Sequence, residues 1–537
     1  MPAPVAFVCN GVDVEIDALP DETLLDALRE RLGLCSVKDG CAPQGQCGCC
    51  TVLVDGEPRV ACVTPLARLA GRAVTTVEGL EPDVRDRVAR AFVASGGSQC
   101  GFCTPGIVMR FAGARTRDID RSLAAHLCRC TGWLTVRDAV ESRSGGGARD
   151  LARASQRATL EGGAPQRVGI DVPLGGAPFA DDTAPRDALV AVPLPPGSSA
   201  AFLEAGGMRW VVGASLPEAR RAAGKVQGRR TTFESRPPLL DRMPACPPGG
   251  VRLATSWVEP AYVEPDASWC VPGGTPASPL ANGGAFGGKL HSFAPVAARE
   301  LADRLGRTVR VVYSREDVVR LGPKRAPIAA VAVARGDVVS IEGVAAVGAE
   351  TRVWPSPPDI NVQARWTEAS VRGPRVAADL RAAGLAEQAV LVAGALRRDV
   401  DVVTPSGAHA RAEVAIDGRH VTRVGVQVGA GDPLDEQVLR SYAIGAAHMA
   451  LGWVLSEALT VDPDTGEIHD LTIRSFGVLR AAEMPAIEVT IVDTDGPPRA
   501  RSSDAVFAAV AAAAWNALGC PDTFPVRRAG ADPATSR

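Results

Sequence analysis

GCAPQGQCGCCTVLVDGEPRVAC, running from Gly40 to Cys62, decides how the rest of the chain is read. Cys41, Cys47 and Cys50 come from one glycine-bearing loop. Cys62 returns to it after an apolar run, Thr51–Val54, and a turn at Asp55-Gly56, which is a hairpin signal. A structural zinc site usually pairs two Cys-x2-Cys knuckles. Three thiols from one loop and a fourth from a hairpin fit instead the plant-type [2Fe–2S] layout, C-x4-C-x2-C…C. Five residues, Ala42 to Gln46, fill the first gap where that layout has four, and this leaves Cys49 as a competitor for a ligand position.

A second group follows: Cys100 and Cys103 in QCGFCTPG, then Cys128 and Cys130 in HLCRCTGW. Two cysteines flanking a single residue make an awkward knuckle for one tetrahedral ion, and two irons share such a load more readily. Arg129, between them, reads either as a counter-charge to a cluster or as a solvated surface arginine. His126 reads as a partly exposed polar residue or as a hydrogen-bonding neighbour of the same site. Cys9, Cys35, Cys49, Cys246, Cys270 and Cys520 make up the fourteen cysteines and read as ordinary small residues. The six histidines show no H-x3-H spacing and are assigned no metal.

The 537 residues carry a net charge of −3 without a basic block, which argues against nucleic acid or an anionic membrane surface as partner. No apolar run approaches the roughly 18 residues of a membrane span. The first residues show no basic segment followed by an apolar one. Clustered cysteines without these signals lead us to expect a reducing, cytoplasmic setting.

Alternation over residues 5–16 around Asn10-Gly11 predicts a hairpin. Leu24, Leu25, Leu28 and Leu32 predict a helix from Asp21 to Leu32 closed by Gly33. Short helices are expected at Val84–Ala94, Gly106–Ala114 and Leu134–Val140. Ser142–Ala148 reads as a flexible linker. Beyond it, helices such as Ala297–Leu305 and Leu439–Leu459 alternate with strands such as Val309–Tyr313 and Ile487–Val492.

Together, GCAPQGQCGCCTVLVDG, QCGFCTPGIVM and HLCRCTGW resemble the iron–sulfur part of the xanthine dehydrogenase/aldehyde oxidase family of molybdenum hydroxylases. The resemblance implies a ferredoxin-like domain for the first string and a helical domain for the second and third. It also implies that Gln99, the glutamine of QCGFC, touches a molybdopterin cofactor. GGAFGGK, Gly283 to Lys289, resembles the family's glycine-rich cofactor loop, with Gly283, Gly284, Phe286, Gly287 and Gly288 as its contact residues. It is not a nucleotide-binding loop, because Leu290 stands where Ser or Thr should bind magnesium. The strings from Ser314 to Pro327, Gly445 to Asp470 and Met484 to Asp493 follow the family's order as well.

The fold class expected is therefore multidomain α+β: a β-grasp ferredoxin-like domain, a small helical [2Fe–2S] domain and a shortened α/β molybdopterin-binding-like region. The divisions are residues 1–78, 79–141, a linker at 142–165, then 166–330 and 331–537 as two parts of the last region. Cys41, Cys47, Cys50 and Cys62 are the expected ligands of one [2Fe–2S] cluster, and Cys100, Cys103, Cys128 and Cys130 of the other.

Two departures bear on activity. The region after residue 150 is much shorter than the resemblance implies. The family's catalytic glutamate belongs to a Gly-Glu pair shortly before the last helix, where this chain reads Arg501-Ser502-Ser503-Asp504. Asp504 is one methylene shorter than that glutamate, and a general base misplaced by ~1 Å loses about 10²-fold in rate. Its competing role is to cap a helix beginning at Ala505. Arg372-Gly373, the one match to the family's arginine–glycine motif, reads better as a loop.

Three functions follow. The first is an electron-transfer protein or subunit that relays electrons from a molybdopterin centre to a flavoprotein subunit, alongside a full-length molybdenum subunit. The second is a self-contained hydroxylase acting on a purine, aldehyde or N-heterocycle. The third is a non-redox assembly partner. Whether the chain is itself an enzyme stays open at the level of sequence, since the glutamate is not found.

Overall fold

Val5, Phe7 and Cys9 point inward from the strand Ala3–Cys9, and the chain turns back through Asn10 and Gly11, both at positive φ, into Val12–Ala18. Such a turn matches the twist of a tight hairpin. The computed structural model describes residues 3–113, 118–141, 149–224, 236–357, 359–378, 380–469 and 471–526. Its first sheet has the order Val12–Ala18, Ala3–Cys9, Ala73–Thr75, Thr51–Val54, Glu57–Val60. Ala3–Cys9 runs parallel to Ala73–Thr75, and the other pairs are antiparallel. The helix expected over Asp21–Leu32 is shorter. A Thr23–Asp26 capping box starts it at Leu24, and it ends as a π turn over Ala27–Arg31.

Four helices follow: Pro82–Ser95, Thr104–Ala112, Ile119–Leu123 and Leu134–Val140. Ser142–Ala148 lies outside the described residues. The rest of the segment read as linker contains a helix, Leu151–Gly162. Asp150 caps it by accepting from the Ala152 and Arg153 amides, and Gly163 closes it in the left-handed conformation. Ala154 and Ala158 bury its inner face, a small-residue stripe that a search for large apolar periodicity passes over.

Three further sheets occupy the remainder: one in the order Ala267–Cys270, Val309–Val312, Leu189–Pro193, Met208–Gly213, Leu203–Ala205; a second in the order Asn361–Ala369, Val338–Ala346, Ile328–Arg335, Val251–Thr255, Thr523–Phe524; and a third in the order Val402–Val403, His409–Asp417, His420–Gly429, Ala486–Val492. In the second of these, Ile328–Arg335 pairs with Val251–Thr255 on one side and Val338–Ala346 on the other. The expected division at residue 330 therefore falls inside a strand. Ser502–Ala517 packs on both Ala383–Leu396 and Glu436–Leu455, and also on His409–Asp417. All three are apolar on nearly every face, the pattern of core helices. Glu436–Leu455 is the one helix among the described residues long and apolar enough to cross a membrane, and 94% of its apolar window is buried in the fold.

Candidate redox site and adjoining cavity

Cys41, Cys47, Cys50 and Cys62 are each no more than 2% exposed and converge between the loop and the hairpin. Their thiols meet in pairs: Cys41 with Cys47, and Cys50 with Cys62, with Cys41 also touching Cys62. The Gln46 and Cys47 amides donate to the Cys41 sulfur at 3.3 and 3.2 Å, and the Cys62 amide to the Cys50 sulfur at 3.4 Å. Amides aimed at sulfur are what a cluster's thiolates need. Cys49 is fully buried, and its thiol meets the Cys47 thiol as well as the Cys47 carbonyl, the latter at 3.8 Å; the chain there also lies near Cys128 of the other group.

The second group is paired in the same way. Cys100 and Cys130 stand 3.8 Å apart sulfur to sulfur, and Cys103 contacts Cys128. Cys128 is drawn down to about 6, chiefly by its hydrogen bond with Cys103; burial opposes this and Thr131, 3.0 Å away, assists. Two pairs per group suit two irons better than one zinc. Arg129 is 1% exposed and so is not a surface arginine. His126 is equally buried, so it is not partly exposed either. Burial, with Arg110 and Arg474 nearby, lowers His126 to about 3 and keeps it neutral.

Cys100, Cys103 and Cys130 line a partly open cavity together with the neighbouring loop Gly283–Gly287. Ala285 and Phe286 both adopt left-handed backbone angles there, a sparsely populated conformation that concentrates at ligand sites. Asn282 anchors this loop to the thiols by donating to the Cys100 carbonyl at 2.8 Å. Gln99 lines the cavity, with its amide nitrogen donating to the Cys130 carbonyl at 2.8 Å and to the Ser441 hydroxyl at 2.9 Å. Of the expected cofactor residues, Gly283, Gly284, Phe286 and Gly287 line the cavity; Gly288 is held behind Tyr262 and Pro260.

Asp504 also lines the cavity, but it does not cap the last helix. That helix begins at Ser502, after Arg501 in the left-handed conformation. Glu161 takes the capping role from a remote segment: its carboxylate accepts from the Ser502 hydroxyl and, at 2.8 Å, from the Ser503 amide. Arg157, as fully buried as Glu161, pairs with it at 2.7 Å. Arg372 is a loop residue at the surface, donating to the Asp464 carbonyl.

The cavity wall includes residues that pattern reading did not select. Gln166 accepts from the Tyr442 hydroxyl and leaves its amide nitrogen without a protein partner. Glu264 pairs through one oxygen with buried Lys289 at 2.6 Å, and its other oxygen is unpartnered. Burial raises its carboxyl to about 7 against the pull of Lys289. Arg381, inside the wall, is buried with its Nε unpartnered. Glu264 precedes a proline and could have been noticed from its place just upstream of the glycine loop. Nothing local marks Gln166 or Arg381.

Residues 7–69 match the 2Fe-2S iron-sulfur cluster binding domain, and residues 76–141 match the [2Fe-2S] binding domain. The chain is 40% identical over 141 residues to the xanthine dehydrogenase iron-sulfur-binding subunit of Escherichia coli, covering 87% of that protein with 24% of its own length. It is 39% identical over 142 residues to the aldehyde oxidoreductase of Megalodesulfovibrio gigas, of which that match spans only 16%. The solved aldehyde oxidoreductase from Desulfovibrio desulfuricans superposes with a TM-score of 0.70 at 16% identity, over 97% of this chain and 99% of that one. At that identity the likeness is one of fold, and it extends well past the iron–sulfur domains. Two [2Fe–2S] domains in this order, their sequence relatives and the shared multidomain α+β architecture agree: the chain belongs to the xanthine dehydrogenase/aldehyde oxidase family of molybdenum hydroxylases.

Proposed function

We propose that this chain oxidises a small molecule in its own cavity and passes the electrons singly through two [2Fe–2S] sites to a partner subunit. The observation that carries this reading is the shared wall: three cysteines of the second group and the glycine loop line one space. That favours the self-contained alternative over a C-terminal half that serves only for docking.

The wall suits a molybdopterin group. The unpartnered Gln166 amide and Glu264 oxygen offer a donor and an acceptor to a polar heterocycle, and the Gly283–Gly287 loop brings backbone to the same space. Buried polar atoms without partners are strongly disfavoured unless a ligand meets them. Such a group, when bound, supplies a two-electron acceptor for inserting oxygen from water into a C–H bond. Oxidation of that kind releases protons as well as electrons. Glu264, raised to about 7 and with a free oxygen, is the wall residue suited to take a proton. Electrons leave by way of Cys100, Cys103, Cys128 and Cys130, then Cys41, Cys47, Cys50 and Cys62. The Escherichia coli relative is named as an iron-sulfur-binding subunit, which supports a partner subunit here, and a flavoprotein is the acceptor we propose.

The test is metal content per chain after anaerobic purification from a host that makes molybdopterin. We expect two irons for each site and one molybdenum. Full iron without molybdenum would defeat catalysis in this chain and leave an electron-transfer subunit served by a separate molybdenum subunit.

A further inference from the structure

The Arg129 guanidinium, which lies between two ligand cysteines, grips Glu457 with both of its terminal nitrogens at 2.5 and 2.8 Å. The same carboxylate accepts from Arg381 at 2.7 Å. All three side chains are at most 2% exposed. Arg129 and Arg381 also share the cavity wall with Cys100, Cys103 and Cys130. Two guanidiniums and one carboxylate leave one net positive charge beside the second thiol group.

The other charges on the wall come in opposite-sign pairs. Glu161 and Glu264 each have a cation of their own, Arg157 and Lys289, and Asp504 lies on the wall with Arg501. Glu259 is paired with Arg315. Burial lowers His448 to about 4, with Arg129 adding to the effect, so it is neutral. Burial lowers Arg381 to about 10, which still leaves it charged at neutral pH. Burial works against the Glu457 carboxylate, but Arg129 and Arg381 outweigh it and hold it ionised.

The chain is shaped around this arrangement. Gly452 lies inside the helix Glu436–Leu455, where an added Cβ would fall 2.1 Å from a Glu457 oxygen. Arg381 and Ala382 are both left-handed, which turns the Arg381 side chain back onto Glu457 and the Met449 carbonyl. Pinning Arg129 needs one carboxylate, and its two-pronged contact already supplies that. The second arginine adds a charge that pairing does not require.

We propose that the Arg129–Glu457–Arg381 triad, through its net positive charge, raises the reduction potential of the second [2Fe–2S] site and so draws electrons out of the cavity. Adding an electron to a thiolate-ligated cluster adds negative charge, and a fixed positive charge in a dry, unscreened interior favours that state. Arg129, Glu457 and Arg381 are thus positioning residues, acting on the site rather than on substrate. The inference rests on the two-site relay proposed above.

The experiment is potentiometric EPR on the anaerobically purified full chain. The second site is identified as the signal that Cys103→Ser removes. Arg381→Gln takes the triad to zero charge and should make the second site at least tenfold harder to reduce, 59 mV lower for one electron. Glu457→Gln takes it to two positive charges and should shift the same signal the opposite way. Arg381→Lys keeps the charge and should stay near the parent value. The first site should hold still throughout. Shifts of the same sign in both Gln variants would mean loosened packing and would overturn the proposal, as would equal potentials for Arg381→Gln and Arg381→Lys. If Glu457→Gln does not fold, the Arg381 pair alone decides. Absence of both signals from the parent protein would instead defeat the relay reading.

Discussion

Glu264 sits on the cavity wall with Lys289 at 2.6 Å and with Asp266 and Asp182 as its like-charged neighbours. Burial wins over the lysine, so the carboxyl rises from 4.5 to about 7. A raised acid binds a proton in the native state that the unfolded chain has already lost. This group's contribution to stability therefore falls as pH climbs from about 4.5 to about 7, and is level above that. Difference infrared spectra should show a carboxylic C=O band bleaching with a midpoint near 7. The band should vanish in Glu264→Gln and move to higher pH in Lys289→Met. A midpoint in the ordinary carboxylate range would remove Glu264 as the proton acceptor. At the thiols, Cys103→Ser should abolish one of two reduced-site EPR signals and spare the other, and loss of neither would break the ligand assignment. The two cysteine groups were legible because a ligand set of this kind is written as a spacing along the chain. Glu264 and Arg381 were not, because a buried charge is recognised by what surrounds it.

Among elements, the helix Glu436–Leu455 does the most to position the site. Gly445 lets it approach the cysteine loop: a Cβ there would fall 1.8 Å from the Cys130 carbonyl oxygen, which is backbone and cannot swing away. Gly445→Ala should destabilise the protein by about 1–3 kcal/mol through overpacking. It should also broaden or erase the second EPR signal while the first persists, and thermal unfolding together with EPR would check this. The start of Ser502–Ala517 is held from outside by Glu161 and Arg157. Removing Arg157 leaves a buried carboxylate without its cation, and a loss of about 3–5 kcal/mol is expected from chemical denaturation of Arg157→Ala. Reading Asp504 as the cap was reasonable from local sequence, since Asp is a favoured capping residue. What decided otherwise was a carboxylate more than three hundred residues away in the chain.

Across the molecule, the first iron–sulfur domain is tied to later segments by buried and half-buried charges. Arg29 pairs with Asp181 and Asp182 at 2.6 and 2.9 Å, Lys38 also reaches Asp182, and Arg310 pairs with Glu30 at 2.7 Å. Asp182→Ala strands Lys38, whose side chain is wholly buried, and should cost about 3–5 kcal/mol. Limited proteolysis should then release the first domain earlier than in the parent chain, and an unchanged digestion pattern would show that these pairs do not hold the domains together.

The sequence by itself determined the two cysteine groups, the multidomain α+β class and the family, because cysteine spacing, hairpin signals and apolar periodicity are all short-range patterns. The small-residue helix Leu151–Gly162 escaped that reading, since alanine packing leaves little periodic signal. Only the tertiary structure decided that Cys100, Gln166, Glu264, Phe286 and Arg381 share one cavity, and that Arg129 and Glu457, 328 residues apart, form one charge network. Burial there removes water as a competing partner, so each charge and polar atom depends on what distant segments bring to it.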